Sequence, residues 1–482
     1  MIKHRTVVIG SCLLLAVVIF IACTLSGTDR KTAWVLSTTG LMASLWITEA
    51  IPLGATSLLP IAIFPFAGIA DVKEVAPLYA SHIIFLFIAG FLLAFAMEKW
   101  NLHRRIAFKI IQLIGFSPKK MLLGFIMASF VLSMWINNTA TTIVLLAPAL
   151  AVIKEFPHGN KQQSFIGIAL LLGICYASSI GGIVTPIGTA PNLILKAYYE
   201  ESFTGMPELS FFSWMIFALP VATVMVIILY WYLSRKIGDL KSEGSIERLK
   251  ERIKGIGRIS FEESVILTVF ILLIVLWFTA KDIEIGGTTI KGWTSWFENK
   301  AYIKDSAIGM LLAMTLFFIP AKNEGRNILE WDDAKKLPFD ILFIFGGGFS
   351  IAKGFQITGL DERLGAYFDA AAGIPLLILI LAVCFFMTFL TEITSNTATT
   401  QLILPLLIIM VNATGTDPRY LLVPATFSAS FAFMLPVATP PNAIVFGTGM
   451  VPNKVMMRTG IWLNLIGIVV LTLYSYFFAE WF

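Results

Sequence analysis

The sequence predicts an all-α polytopic membrane protein, with about 11 transmembrane helices and two re-entrant hairpins arranged as an inverted-topology repeat. Three observations lead there. The 482 residues are 57% hydrophobic and 13% charged, with a mean hydropathy of +0.83, more apolar surface than a soluble domain of this size can expose without aggregating. The run Asn138-Thr139-Ala140-Thr141-Thr142 recurs as Asn396-Thr397-Ala398-Thr399-Thr400, 258 residues later. Two apolar stretches, 121–153 and 371–411, are too long for single spans: at about 1.5 Å per residue the first would make a helix of roughly 50 Å, against a hydrocarbon core of about 30 Å.

From the N-terminus, Met1 to Arg5 and the apolar run Thr6 to Leu25 imitate a secretory leader. The run is roughly 20 residues, a full span, and no small-x-small cleavage site follows. Phe20-Ile21-Ala22 ahead of Cys23 is a poor lipoprotein context, so 6–25 is read as the first span. Further spans fall at 33–50, 53–69, 82–98, 164–195, 211–234, 264–280, 306–320, 339–353, 419–451 and 459–481. Residues 1–482 thus form one integral membrane unit, with 33–234 and 264–482 as its repeats. Other landmarks keep step between them. Phe87-Ile88-Ala89-Gly90-Phe91 returns as Phe345-Gly346-Gly347-Gly348-Phe349 and Ser133 as Thr391, both 258 residues on, and Gly188-Thr189-Ala190-Pro191-Asn192 matches Ala438-Thr439-Pro440-Pro441-Asn442 at 250. A lone Thr or Asn helps apolar helices pack, but landmarks in one order mark two related halves.

Each long stretch is read as a helical hairpin that turns at its Asn-Thr signature and leaves on the side it entered. Charge supports this. With the N-terminus cytoplasmic, four spans return the chain inside at Lys99, Arg104, Arg105, Lys109, Lys119 and Lys120. A fully crossing 121–153 would put the basic segment 235–258 outside and Glu200, Glu201 and Glu208 inside; a re-entrant one reverses both, as the positive-inside rule requires. Lys454 and Arg458 then lie inside and the C-terminus outside, while Arg30 and Lys31 run against the rule. The net charge of +5 is therefore a topology signal and not a nucleic-acid patch. An odd number of spans between the repeats inverts one relative to the other. Arg104 to Gly115 carries apolar positions at helical spacing around Arg105 and Lys109, the pattern of an interfacial helix or an ordinary surface one. The mixed charges of Arg235 to Arg258 suit a solvated link.

A turn inside the membrane breaks the helical ladder and frees carbonyls at one half-helix end and N–H groups at the next start; the first attract cations, the second anions. Asn138, Thr139, Asn396 and Thr397 add neutral oxygens and donors at these points. Gly188 to Asn192 and Ala438 to Asn442 are further Pro- or Gly-interrupted breaks. All four interruptions should meet near the midplane as one compound site. Ser133, Asn138 and Gly188, and likewise Thr391, Asn396 and Ala438, offer hydroxyl, amide and backbone oxygens of the kind Na⁺ prefers. No Arg or Lys is near the tips, which favours cation-assisted anion binding over an arginine clamp.

Glu392 is the one carboxylate beside a signature, a proton or cation site or a structural group bonded to the hairpin backbone. Glu49 sits at a span end as an interfacial or interdomain contact, and His82 and His103 lie at span edges. Cys12, Cys23, Cys175 and Cys384 lack metal spacing or a disulfide partner and read as packing or lipid-facing residues. No zinc pattern, phosphate loop or nucleophile elbow is found, so nothing points to an enzyme, and a channel would need a continuous polar path in place of clustered breaks.

At these residues the chain resembles the divalent anion/sodium symporter (DASS) family, which includes bacterial and animal dicarboxylate, citrate and sulfate carriers. The resemblance covers essentially the full length. It rests on Trp46-Ile47-Thr48-Glu49-Ala50-Ile51-Pro52-Leu53, on 132–142, on Ser395-Asn396-Thr397 and above all on Phe433-Met434-Leu435-Pro436-Val437-Ala438-Thr439-Pro440-Pro441-Asn442-Ala443-Ile444. It implies a homodimer in a bacterial inner membrane, each protomer pairing a scaffold with a mobile domain that works as an elevator. It further implies Na⁺-coupled import of C4-dicarboxylates such as succinate, malate and fumarate; a Na⁺-independent dicarboxylate or citrate exchanger, or a sodium/sulfate symporter, would share the fold. On this resemblance Asn137, Asn138, Thr139, Thr189, Ser395, Asn396, Thr397, Thr439 and Pro440 bind substrate, and Ser133, Asn137, Asn138, Gly188, Thr391, Asn396 and Ala438 bind sodium. The family's Ser-Asn-Thr is intact at 395–397 but reads Asn137-Asn138-Thr139 in the first copy. An amide oxygen still ligates Na⁺, while the longer side chain shifts that site or narrows the room for substrate.

Overall fold

The structure, a computed structural model, describes residues 2–154, 161–235, 237, 247, 250–251, 253–285, 288–322, 325–368 and 373–481. Regular structure among them is helical, apart from Ile283–Ile285 paired antiparallel with Thr288–Ile290 and an isolated bridge between Pro320 and Asn327. The all-α expectation missed the strand pair, which β-branched residues on both sides of a short connection favour.

Helices α1 (Ile2–Leu25) and α2 (Arg30–Thr48) pack through Cys12, Ala16, Leu41 and Leu45, with Ser37 Oγ donating to the Ala16 carbonyl at 2.8 Å. The other face of α1 stays exposed, as a lipid-facing span requires. Glu49 ends α2 in the left-handed conformation with its side chain exposed. The expected span 53–69 is two short helices, α3 (Leu53–Ser57) and α4 (Leu59–Phe66), separated at Leu58 ahead of Pro60.

The remainder runs through the same seven-element order twice. First come α5 (His82–Lys99), α6 (Leu102–Ile114), α7 (Pro118–Ser133), α8 (Asn138–Lys154), α9 (Lys161–Gly182), α10 (Ala190–Ser202) and α11 (Phe211–Ser234). After α12 (Phe261–Phe278) and α13 (Asp305–Phe318) follow α14 (Phe339–Thr358), α15 (Leu360–Phe368), α16 (Leu376–Thr391), α17 (Asn396–Thr414), α18 (Arg419–Ala429), α19 (Pro440–Gly447) and α20 (Asn453–Phe478). Eight helices among the described residues are long and apolar enough to cross a membrane, fewer than the expected spans. The difference lies in α2, which is not apolar enough, in α13 and the α3–α4 pair, which are shorter, and in 419–451, which is broken in two. The stretch 164–195 is also broken but its first part still qualifies, and α17, an arm of the second expected hairpin, is one of the eight. The link 235–258 lies largely outside the described residues, as do residues 371–372 of the second expected hairpin.

The breaks start earlier than the prolines suggest. α9 stops at Gly182 and α18 at Ala429, while Pro191, Pro440 and Pro441 occupy the first turns of α10 and α19. There a missing N–H costs nothing and the fixed φ suits the helix, so these prolines begin half-helices and do not open them. The amphipathic pattern near 104–115 is realised in α6, which buries Leu102, Ala107, Phe108 and Ile111 and exposes Arg104 and Lys109. Arg105 is anchored on Glu263, its Nε and Nη2 donating at 2.9 and 2.8 Å. Arms α7 and α8 pack on each other and on α9. The fit is tight, for a Cβ on Gly181 would stand 2.3 Å from the Phe130 carbonyl oxygen.

Charges gather at the ends of these helices. Buried Lys196 on α10 pairs with Glu200 at 2.6 Å and Asp305 at 3.7 Å, and Glu200 also meets His82 at 2.9 Å. Beside them Glu208 takes Lys281 at 2.6 Å and Lys304, around a cavity of about 310 Å³. Burial pushes the Glu208 carboxyl up, but the hydrogen bonds and charges of Lys281 and Lys304 outweigh it and hold the group down at about 2, against an ordinary 4.5. Stability from such a depressed carboxylate is complete above the ordinary value and is lost as pH falls toward the folded one. Thermal melting should therefore decline between about pH 4.5 and about pH 2, and less steeply in Glu208→Gln. Parallel melting curves for the two proteins across that window would remove Glu208 from the acid response.

Candidate functional site

The connection between α7 and α8 is residues 134–137, and that between α16 and α17 is 392–395. Each is tied by matching bonds. Ser133 Oγ donates to Asn138 Oδ1 at 2.6 Å, and Thr391 Oγ1 donates to Asn396 Oδ1 at 2.7 Å. Asn137 Oδ1 accepts the Ala140 N–H at 2.8 Å, and Ser395 Oγ accepts that of Ala398 at 3.2 Å. Asn137 therefore caps α8 as Ser395 caps α17; Asn and Ser are comparably good at this, which explains how an amide replaces a hydroxyl there.

The breaks are tied by a second matched pair. Asn192 Nδ2 donates to the carbonyls of Gly182 and Thr185 at 2.9 and 2.8 Å, and Asn442 Nδ2 donates to those of Ala432 and Leu435, both at 3.0 Å. Both amide oxygens are buried without a hydrogen-bond partner among the described residues. Gly188 wedges into the first break, where a Cβ would stand 2.4 Å from the Gly182 carbonyl oxygen and 3.0 Å from that of Ser133. Glu392 bonds to the break and not, as expected, to the hairpin backbone: it accepts the Met434 and Leu435 N–H groups at 2.8 and 3.0 Å and Asn464 Nδ2 at 2.6 Å.

Tips and breaks converge on one cavity of about 320 Å³. Asn137, Asn138, Thr139, Gly188, Thr189, Ser395, Asn396, Thr397, Ala438, Thr439 and Pro440 all line it. Ser133 and Thr391 do not; they stand behind the tips and hold the Asn138 and Asn396 amides. The opposite wall, absent from the sequence reading, is Leu53, Phe87 and Phe91 with Asp340, Ile341 and Ile344. Phe87 and Phe91 lie in the repeated landmark and could have been found there, whereas nothing in the sequence marks Asp340. The roles of Asn192 and Asn442 were likewise missed, although both residues close a repeated motif. No Lys or Arg lines the cavity, so its donors are hydroxyls, amides and backbone N–H groups. Such a lining can hold oxygen-ligated cations and an anion together but offers no acid–base pair for catalysis.

The profile of the sodium:sulfate symporter transmembrane region matches residues 4–482. The chain belongs to this family. It is 42% identical over 459 residues to the sodium-dependent dicarboxylate transporter SdcS of Staphylococcus saprophyticus, covering 93% of this chain and 86% of that one. The SdcS of Staphylococcus aureus strain NCTC 8325 is 40% identical with the same coverage. Two solved structures share the fold at low identity. They are the Neisseria gonorrhoeae MtrF antimetabolite efflux pump, at a TM-score of 0.59 and 14% identity over 84% of this chain and 83% of that one, and the Alcanivorax borkumensis YdaH transporter, at 0.58 and 13% over 84% and 87%. The chain is thus a multi-pass membrane transporter and not an enzyme.

Because Asn137 Oδ1 is engaged as a cap, Asn137→Ser should melt like the parent, whereas Asn137→Ala should lose about 1 kcal/mol. Identical melting of the Ala and Ser variants would mean that the cap contributes nothing.

Proposed function

We propose that the protein is a Na⁺-coupled symporter that imports C4-dicarboxylates such as succinate, malate and fumarate across a bacterial inner membrane. The observation that carries this reading is the cavity between two matching tips, lined by amides and hydroxyls, with Asp340 its one charged residue and no lysine or arginine among the described residues of its lining. The sodium-dependent dicarboxylate transporters among its relatives support the same cargo. In this reading Ser133, Asn137, Asn138 and Gly188 hold one sodium ion, and Thr391, Asn396 and Ala438 hold another. The carboxylates then rest on Asn137, Asn138, Thr139 and Thr189 at one end and on Ser395, Asn396, Thr397, Thr439 and Pro440 at the other. The sodium ions offset the charge that no side chain offsets.

The repeats 33–234 and 264–482 are inverted, the hairpins are re-entrant from opposite faces, and the mobile half moves as an elevator within a homodimer. In the first hairpin the arms of 16 and 17 residues, α7 and α8, reach only about 24–26 Å, short of the roughly 30 Å core, which supports its re-entry, whereas in the second α17 has 19 residues. The N-terminus is cytoplasmic and the C-terminus external. A tenfold Na⁺ gradient supplies about 1.4 kcal/mol per ion, and each 100 mV about 2.3 kcal/mol per net charge, so two or three ions suffice for concentrative uptake.

In proteoliposomes, uptake of labelled succinate should require external Na⁺ and exceed that of sulfate. Equal rates in Na⁺ and choline would favour an exchanger, and a preference for sulfate would reassign the cargo. Single cysteines at Lys120 and Lys154, without the four native thiols, should both label from the cytoplasmic side; labelling from opposite sides would make 121–153 a full span.

A further inference from the structure

We propose that a groove remote from the transport cavity binds a single anionic phospholipid. It encloses about 830 Å³ between α9, the end of α11 and the start of α20. Along α20, Lys454, Arg458, Trp462 and Ile466 line it at four-residue steps and therefore share one helix face. Across from them, Trp231 and Arg235 repeat the step at the end of α11. From the helix ends inward the lining thus passes from cation to indole to hydrocarbon. That is the order a phospholipid presents, phosphate first, then the glycerol region where indoles settle, then acyl chain.

The charge of the groove asks for an anion. Its cations are Arg235, Lys454 and Arg458, and among the described residues no carboxylate lines it. None of the three forms an ion pair among the described residues. Arg235 is pinned in place, its guanidinium 4.1 Å from the Trp231 ring centre and 4.9 Å from that of Tyr232. Lys454 stands in the first turn of a 26-residue helix and Arg458 one turn on, with no acidic residue in that turn. Cations at a helix N-terminus oppose the macrodipole, and like charges four residues apart repel; a bound headgroup relieves both. Inorganic phosphate offers the same headgroup chemistry, but it would leave the apolar floor of Leu172 and Ile466 unused, along with Trp231 and Trp462, which are 58% and 51% exposed. A lipid uses all of them.

The test is native mass spectrometry of the full-length protein in detergent, offered phosphatidylglycerol, phosphatidylcholine or inorganic phosphate. One phosphatidylglycerol should be retained on the order of tenfold more tightly than phosphatidylcholine, and inorganic phosphate should not displace it. Arg458→Gln or Lys454→Gln should each weaken retention roughly fivefold, while Lys109→Gln on the exposed face of α6 should not. The parent competition stands even if a lost cation impairs membrane insertion. Equal retention of the two lipids, or displacement by phosphate alone, overturns the proposal, the latter assigning the groove to a soluble anion.

Discussion

A helix interrupted at membrane depth must have its freed N–H and C=O groups met by the protein itself, and the site of this transporter is arranged around that requirement. Asn192 and Asn442 each span a break and bind two carbonyls with one amide nitrogen. Removing either would leave one buried carbonyl, that of Gly182 or Ala432, without the amide that binds it, at about 1–3 kcal/mol, because the Thr185 and Leu435 carbonyls also accept the Gly188 and Ala438 N–H groups. Carbonyl oxygens have two lone pairs, so the Gly182 and Ala432 carbonyls, bound by one amide each, can still face a cation. The ties that keep the breaks stable thus leave the chemistry of the breaks available. The same holds at the tips, where Ser133 and Thr391 fix the Asn138 and Asn396 amides from behind while those residues still line the cavity.

Much of this was legible in the sequence because repeated polar residues in an apolar chain have few innocent explanations. The signatures at Asn138 and Asn396 and the breaks near Gly188 and Ala438 turn out to line one cavity. What escaped was what depends on three-dimensional neighbours. The prolines pointed to the right segments but the wrong mechanism, since Pro191 and Pro440 begin half-helices while the helices before them end at Gly182 and Ala429. Helix α15 begins 258 residues after α6, at Leu360 against Leu102, yet its nine residues were too short to stand out by periodicity. Asp340, Ile341 and Ile344 of the far wall come from a helix start whose pattern carries no polar signature, whereas Phe87 and Phe91 lie in the repeated landmark.

The two halves solve the same problem with different groups. In the second, Glu392 accepts two backbone N–H groups of the break and is held in turn by Asn464. Its counterpart 258 residues earlier is Met134, which can accept only through its carbonyl, and does so from Thr185 Oγ1. One break is thus gripped at its N–H groups by a carboxylate, while the other reaches out through its own Thr185 hydroxyl to the Met134 carbonyl of the tip. Among the described residues a buried carboxylate is bonded to the second break and not to the first, which makes the electrostatic surroundings of the two breaks unequal although their tip and break amides match.

Positive charge is kept out of the cavity lining, whose one charged residue among those described is Asp340, and this bears on how cargo is coupled. Lysines and arginines collect at the helix ends, in the Lys196–Glu200–Glu208 cluster and in the groove of Arg235, Lys454 and Arg458. A guanidinium in the cavity would hold an anion whether or not cations were present, and so would uncouple the two. With no positive side chain in the described lining, anion affinity in the proposed symport depends on the cations bound beside it. Linkage makes that dependence mutual: whatever factor the cations add to anion affinity, the anion adds to theirs. The groups placed to transmit it are the Asn138 and Asn396 side chains, which face the cavity on one side and the Ser133 and Thr391 hydroxyls on the other. In the proposed symport both kinds of cargo would bear on the same two amides, so neither would shift them without altering the seat of the other.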